Sequence, residues 1–208
     1  MPRERLRVMI LVEAEGLACP FPVIEAKKAL RSSGSEDVVV RVDNEVAVGN
    51  LKRLADSMQR GHSVKEVSAA VFEVTIKGET AEDTEAVKNT APAFAEADSE
   101  YIVQISNKLM GAGNDELGAI LMKSFIYSLS EQDRLPLAIV LYNTGVELTC
   151  EGSPVLEDLK TLDKAGVSIL SCGLCLDFLG LKEKLAIGEI TNMYRIAELI
   201  RSYRTARP

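Results

Sequence analysis

The chain contains no tryptophan, one histidine and only 5% aromatic residues in 208. So few aromatic rings leave no platform on which nucleobases could stack, and a net charge of −7 offers phosphates no basic stripe, so no nucleic-acid partner is expected. No apolar run approaches the roughly 18 residues that a membrane helix needs, so no membrane partner is expected either. The run at residues 8–12 is too short for a secretory signal and is followed by Glu13 and Glu15, which makes the cytoplasm the expected location. His62 follows Gly61 in an expected loop with no acid partner in sequence reach, so it is read as a surface residue rather than a general base. Cysteine is scarce as well, at four residues. In a reducing compartment, thiols so few point to reactive chemistry rather than to structural disulfides.

What is present is a globular composition, 47% hydrophobic and 26% charged, with its charge unevenly spread. Residues 1–78 carry 12 basic against 11 acidic side chains, 79–99 carry 1 against 6, and 100–208 carry 11 against 14. Two domains, 1–78 and 100–208, joined by an acidic linker at 79–99, follow from that shift. A flexible tether of this length spans about 25 Å and holds its two ends at roughly millimolar mutual concentration.

The first domain reads as βαβαββ, a two-layer α/β sandwich. Strands are predicted at 6–12 and 38–42, with a hairpin at 64–69 and 71–77. One helix covers about 20–32. A second covers about 45–60, capped by Asp43-Asn44, stopped by Gly61 and striped by Val46, Leu51, Leu54, Ala55 and Met58. The second domain alternates strands (101–106, 137–142, 167–171, 185–187) with helices (114–130, 153–165, 173–180, 190–203). That pattern specifies a parallel, Rossmann-like sheet covered by helices. The helix after Asn114 is expected to bury Leu117, Ile120, Leu121, Ser124 and Phe125. In such sheets sites form beyond the carboxyl ends of the strands, where Asn143 and Cys172 fall.

Two cysteines stand at predicted helix starts. Cys19 lies in Gly16-Leu17-Ala18-Cys19-Pro20-Phe21-Pro22, where Pro20 and Pro22 stiffen the turn beneath the thiol. Cys172 opens Cys172-Gly173-Leu174-Cys175 after a β-branched run. A thiol in such a position faces unpaired N–H groups and the positive end of the helix dipole, which favours the thiolate. Cys172, at the strand end, is therefore expected to be the sulfur acceptor, and Cys175, one turn in, the auxiliary thiol. Both Cys19 and Cys172 are expected to be exposed, as thiols that react by thiolate attack must be. Residues i and i+3 on a helix lie about 5–6 Å apart, so Cys172 and Cys175 also suit a redox pair. As a metal half-site they lack two further ligands at any usual spacing, and no metal or cofactor is expected. The Gly111-Ala112-Gly113 turn lacks the lysine of a phosphate loop and is read as site-shaping, as are Asn143 and Gly173. Cys150 is read as a bystander.

The stretch Gly16 to Ile24, with Lys27-Lys28-Ala29-Leu30, Val42 to Ala47 and Asn50 to Arg53, resembles the TusA/SirA family of small sulfur carriers. That resemblance implies a persulfide on Cys19. Residues 101–203 resemble the DsrE/DsrF-like proteins through Gly111 to Gly118, Tyr142 to Val146 and Cys172 to Asp177. In sulfur-relay members of that family the acceptor cysteine precedes a helix-end glycine by eight residues, which here relates Cys172 to Gly180. The order of the two modules resembles that of YedF-type fusions, linked to selenium metabolism. Together the resemblances imply a sulfurtransferase-like relay of sulfur or selenium between Cys19 and Cys172, with protein donors and acceptors and a homo-oligomeric C-terminal domain. Two other classes remain open on the residues: a redox-sensing regulatory or binding module, and a thiol–disulfide oxidoreductase using Cys172 and Cys175.

Overall fold

The structure, a computed structural model, describes residues 9–78 and 100–208. The acidic segment 79–99 and residues 6–8 of the first expected strand lie outside the described residues. The chain divides into two compact units, Met1–Ala95 and Glu96–Pro208.

In the N-terminal unit, β1 (Met9–Glu13) leads to α1 (Phe21–Ser32), β2 (Asp37–Val42), α2 (Glu45–Ser57), β3 (His62–Ser68) and β4 (Val71–Ile76). The strand order is β1-β2-β4-β3, with β1 and β2 parallel and β4 antiparallel to both its neighbours. Two parallel strands joined by a helix put the starts of α1 and α2 at the same edge, beyond the carboxyl ends of β1 and β2. Leu30, Val38, Val40, Leu51 and Ile76 are buried in the core of this unit. The helix predicted to run to about residue 60 ends at Ser57, and Gln59, not Gly61, takes the left-handed conformation that terminates it (φ 54°). His62 is not in a loop. It opens β3 with Nδ1 3.4 Å from an Asp56 carboxylate oxygen, a partner that the chain reversal brings back from the end of α2. Val46, expected in the buried stripe of α2, points outward, and Ala47 is buried in its place.

The C-terminal unit runs β5 (Tyr101–Ile105), α3 (Asp115–Ser130), β6 (Ala138–Leu141), a 3-10 helix (Asn143–Thr149), α4 (Leu156–Lys164), β7 (Ser168–Cys172) and α5 (Gly173–Phe178). It then passes through a short 3-10 turn (Lys182–Lys184) to β8 (Glu189–Thr191), α6 (Met193–Ser202) and β9 (Arg204–Ala206). All five strands are parallel, in the order β8-β7-β6-β5-β9, with helices covering the sheet. The central strand β6 is apolar throughout because both of its faces are covered.

The strand expected at 185–187 forms at Glu189–Thr191 instead, and Leu185 makes an isolated bridge to Cys150. A further strand, β9, pairs with β5 although its three residues carry no strand signal of their own. Helix α4 starts at Leu156 rather than 153, after the turn containing Pro154. Helix α6 starts at Met193 rather than 190, under the side-chain cap of Asn192. Helix α3 buries Gly118, Met122, Ile126 and Leu129, whereas Leu117, Ile120 and Leu121 face solvent. The reason is close packing at Gly118, whose absent Cβ would lie 3.1 Å from the Leu109 side chain. That approach turns the helix about one residue from the face its periodicity suggested.

Candidate functional site

Cys19 is an exposed free thiol in the turn between β1 and α1. Pro20 is the cap residue of α1, and Pro22 falls in its first turn, where a missing N–H removes no helical bond. The turn is held to the start of α2 by Asp43, whose Oδ2 accepts the Gly16 N–H at 2.8 Å. Its Oδ1 accepts from the Asn44 side chain at 2.9 Å. These two hydrogen bonds, the Asn44 one foremost, hold the Asp43 carboxyl below the usual carboxylate range. Asn44 in turn caps α2 through the Ala47 N–H at 2.8 Å. A cavity of about 80 Å³ opens beside the thiol, lined by Cys19, Pro22, Val23, Asn44, Val46 and Asn50 among others. The thiol thus sits at an opening between two helix starts. Sequence reasoning found Cys19 and both prolines but missed Val46 and Asn50, which the helical stripe assigned to packing or to solvent.

The second thiol group lies beyond the carboxyl ends of β6 and β7, as expected for a parallel sheet. Cys172 ends β7 and caps α5, but it is only 1% exposed, so the expectation of an exposed Cys172 is overturned. Its side chain lies within the core cluster of the unit. A Cβ on Gly173 would lie 2.9 Å from Ile190 Cγ2, so the edge strand closes directly over this turn. Helix α5 has six residues, too few for the full dipole invoked from the sequence.

Cys175 is half-buried and lies beside Cys172. Its Sγ accepts the Asn143 backbone N–H at 3.1 Å. Burial is the main effect that pushes the Cys175 thiol up, the Asn143 N–H opposes it, and the contact with Cys172 adds to it. Asn143 reaches this position in a left-handed conformation (φ 51°), which asparagine tolerates better than most residues. The 3-10 helix that follows is fixed from two sides. Gly145 lies against the Ile105 carbonyl, and the Thr149 and Ser171 hydroxyls meet at 2.8 Å.

A cavity of about 320 Å³ opens on Cys175, lined by Asn143, Leu174, Cys175, Phe178 and Leu179. Leu174 and Phe178 are 77% and 87% exposed, and none of the five lining side chains is charged. The structure therefore brings Asn143, Gly173, Cys172 and Cys175 together. It leaves Gly111 and Gly113 in the exposed loop before α3, both at positive φ and neither lining this cavity. Leu174, Phe178 and Leu179 were missed, because an exposed apolar residue and a buried one look alike in sequence.

Cys150 is buried, with its thiol donating to the Val146 carbonyl at 3.3 Å, and burial pushes it up. It also lines a separate cavity of about 350 Å³, where the cation Lys108 is paired with Glu147 at 2.8 Å. Among the described residues no three His, Cys, Asp or Glu side chains gather as a metal site. No helix among them is long and apolar enough to cross a membrane.

Residues 10–78 match the family described as sulfurtransferase TusA, and residues 89–205 match the DsrE/DsrF-like family. Among solved structures, a SirA-like protein from Desulfitobacterium hafniense is 43% identical, covering 34% of this chain and 100% of its own, with a TM-score of 0.33. A protein of unknown function from Methanobacterium thermoautotrophicum is 20% identical, covering 53% of this chain and 100% of its own, with a TM-score of 0.41. The ychN protein from E. coli is 20% identical, covering 52% of this chain and 99% of its own, with a TM-score of 0.42. No curated protein matches the chain.

Proposed function

Because the chain belongs to the DsrE/DsrF-like family and carries a sulfurtransferase TusA domain ahead of it, we propose that it relays sulfur as a cysteine persulfide between Cys19 and the Cys172–Cys175 pair. The observation that carries this reading is the exposed Cys19 thiol at a cavity between two helix starts. An incoming protein persulfide gives up its outer sulfur to the Cys19 thiolate. One S–S bond forms as another breaks, the donor leaves as a thiolate, and no electrons are lost or gained overall. The same exchange then passes the sulfur to or from the second unit. Selenium in place of the outer sulfur follows the same steps, and thiols kept reduced in the cytoplasm suit them.

The domains of the proposal are residues 1–78 and 100–208, joined by 79–99. The C-terminal unit self-associates, supported by exposed Ile190 on the edge strand β8, by exposed Met193 at the start of α6 and by the outward apolar face of α3. A clean 22.6 kDa species in light scattering at high concentration removes the self-association.

The experiment for the relay is intact mass after incubation with a persulfide donor. The chain is expected to gain the mass of sulfur, reversed by a thiol reductant, and Cys19→Ser is expected to lose the N-terminal share of that gain. A folded chain that gains no sulfur ends the reading. A second reading, thiol–disulfide exchange, is favoured by the two free thiols of Cys172 and Cys175 lying side by side. It predicts a loss of two hydrogens with no sulfur gained.

A further inference from the structure

The two thiols of the Cys172–Cys175 pair have different surroundings, and exchange of sulfur is sensitive to that difference. Attack on a sulfane sulfur needs the attacking sulfur in line with the S–S bond that breaks, so the donor must approach along an open path onto the sulfur atom. Cys172 has no such path. It is 1% exposed and lies within the core cluster of its unit. Cys175 faces the 320 Å³ cavity whose walls are Asn143, Leu174, Phe178 and Leu179. The walls carry no charged side chain, which suits a soft, polarizable sulfur atom.

We infer that Cys175, not Cys172, is the thiol at which the C-terminal unit exchanges sulfur, with the Asn143 N–H as its positioning group. The inference rests on the sulfur-relay reading of the pair. In the loading direction, the Cys175 thiolate attacks the outer sulfur of a donor persulfide. A new S–S bond forms at Cys175, and the donor's own S–S bond breaks. The bonding pair leaves on the donor sulfur, which takes up the proton that Cys175 released. The products are a Cys175 persulfide and a donor thiol, and no outside oxidant or reductant enters.

The Asn143 N–H donates to Cys175 Sγ at 3.1 Å and so aims the sulfur and stabilises its charge before attack. This hydrogen bond depends on a left-handed backbone at Asn143 and on the close seat of Gly145 behind it. Cys172 lies beside Cys175, and this contact disfavours the Cys175 thiolate as burial does. The resting Cys175 is mostly protonated because burial disfavours its thiolate, so loading should accelerate as pH rises.

The test uses the full chain carrying Cys19→Ser, with and without Cys172→Ser or Cys175→Ser, and cysteine persulfide as the donor. Sulfur is located by alkylation and peptide mapping over time. Cys175 is expected to load in the Cys172→Ser variant, and Cys172 to load at least about tenfold more slowly in the Cys175→Ser variant. Asn143→Gly keeps the N–H and accepts the left-handed φ, so it should preserve the pH profile of loading. Asn143→Val cannot hold that φ and should move the profile to higher pH. If Cys172 loads readily without Cys175, or loads first in the chain that retains both, the assignment is overturned while the relay stands. If neither thiol loads in a chain that melts cooperatively like the parent, the relay reading of this unit fails instead.

Discussion

Replacing Gly145 by alanine tests the packing that places the Asn143 amide. Gly145 lies in a 3-10 helix with ordinary negative φ, so alanine brings no backbone strain and gains up to about 1 kcal/mol in helical propensity. Its Cβ, however, would stand 2.5 Å from the Ile105 carbonyl oxygen, 3.1 Å from the Ile105 carbonyl carbon and 3.4 Å from the Asn107 nitrogen. All three are backbone atoms. Ile105 ends β5, which is hydrogen-bonded to β6 on one side and β9 on the other, so the strand cannot swing away. The 3-10 helix must withdraw instead, stretching the Tyr142 N–H bond to Ile105 O, now 3.1 Å.

Overpacking costs about 1–3 kcal/mol, and a 2.5 Å approach to backbone that cannot yield lies in the upper part of that range, about 2–3 kcal/mol, so less a gain of up to about 1 kcal/mol it leaves a net loss of about 1–2 kcal/mol. For a unit of this size that lowers Tm by roughly 5–15 °C. Scanning calorimetry of the full chain reads it, with Gly152→Ala as the control. Gly152 has positive φ but nothing within 4 Å of an added methyl, so its cost is backbone strain alone, about 1 kcal/mol. The withdrawal also draws the Asn143 N–H away from Cys175, so alkylation of Cys175 should need a higher pH. A Gly145→Ala chain that melts at or above the parent temperature, with Cys175 unchanged, refutes the reasoning.

The Asp158 carboxyl is pushed up chiefly by burial and further by Glu131 and Glu157, against Lys123. Its ionisation therefore opposes folding above the raised value, and the penalty is absent below the ordinary carboxylate range. Asp158→Asn should raise stability at neutral pH in urea titrations, with the gain gone below about pH 4; a variant less stable at neutral pH contradicts this. Asp43 has the opposite sign. Its lowered carboxyl contributes stability above the ordinary carboxylate value, lost as pH falls through the folded one, so the protection of the Gly16 amide, taken relative to its intrinsic exchange rate, should fall on acidification. Protection of that amide unchanged to low pH would mean the hydrogen bond does not hold the Cys19 turn. Asn44→Ala removes the α2 cap and should cost about 1 kcal/mol in chemical denaturation, largely recovered in Asn44→Asp. An alanine variant of full stability shows the cap to be redundant.

Features written in contiguous residues were legible from the sequence. The two cysteine turns, the caps at Asn44 and Asn114, and the strand–helix alternation depend on neighbours within a few positions. Local propensity and hydrogen bonding therefore determined them before any packing. The carboxyl-end placement of Asn143 and Cys172 was legible for the same reason, because a parallel sheet puts every strand-to-helix turn at one edge.

Tertiary structure decided the rest. Helix α3 is apolar around most of its circumference, so periodicity offered two adjacent faces, and only the seat of Gly118 on Leu109 chose between them. β9 is a strand because β5 had an open edge, and its own residues carry no such preference. Cys172 and Cys175 are three residues apart and alike in composition of surroundings. One is buried in the core of its unit and the other receives an N–H from Asn143, 32 residues earlier. Exposure and hydrogen-bond partners are properties of the chain's return to itself, and a thiol's reactivity depends on both.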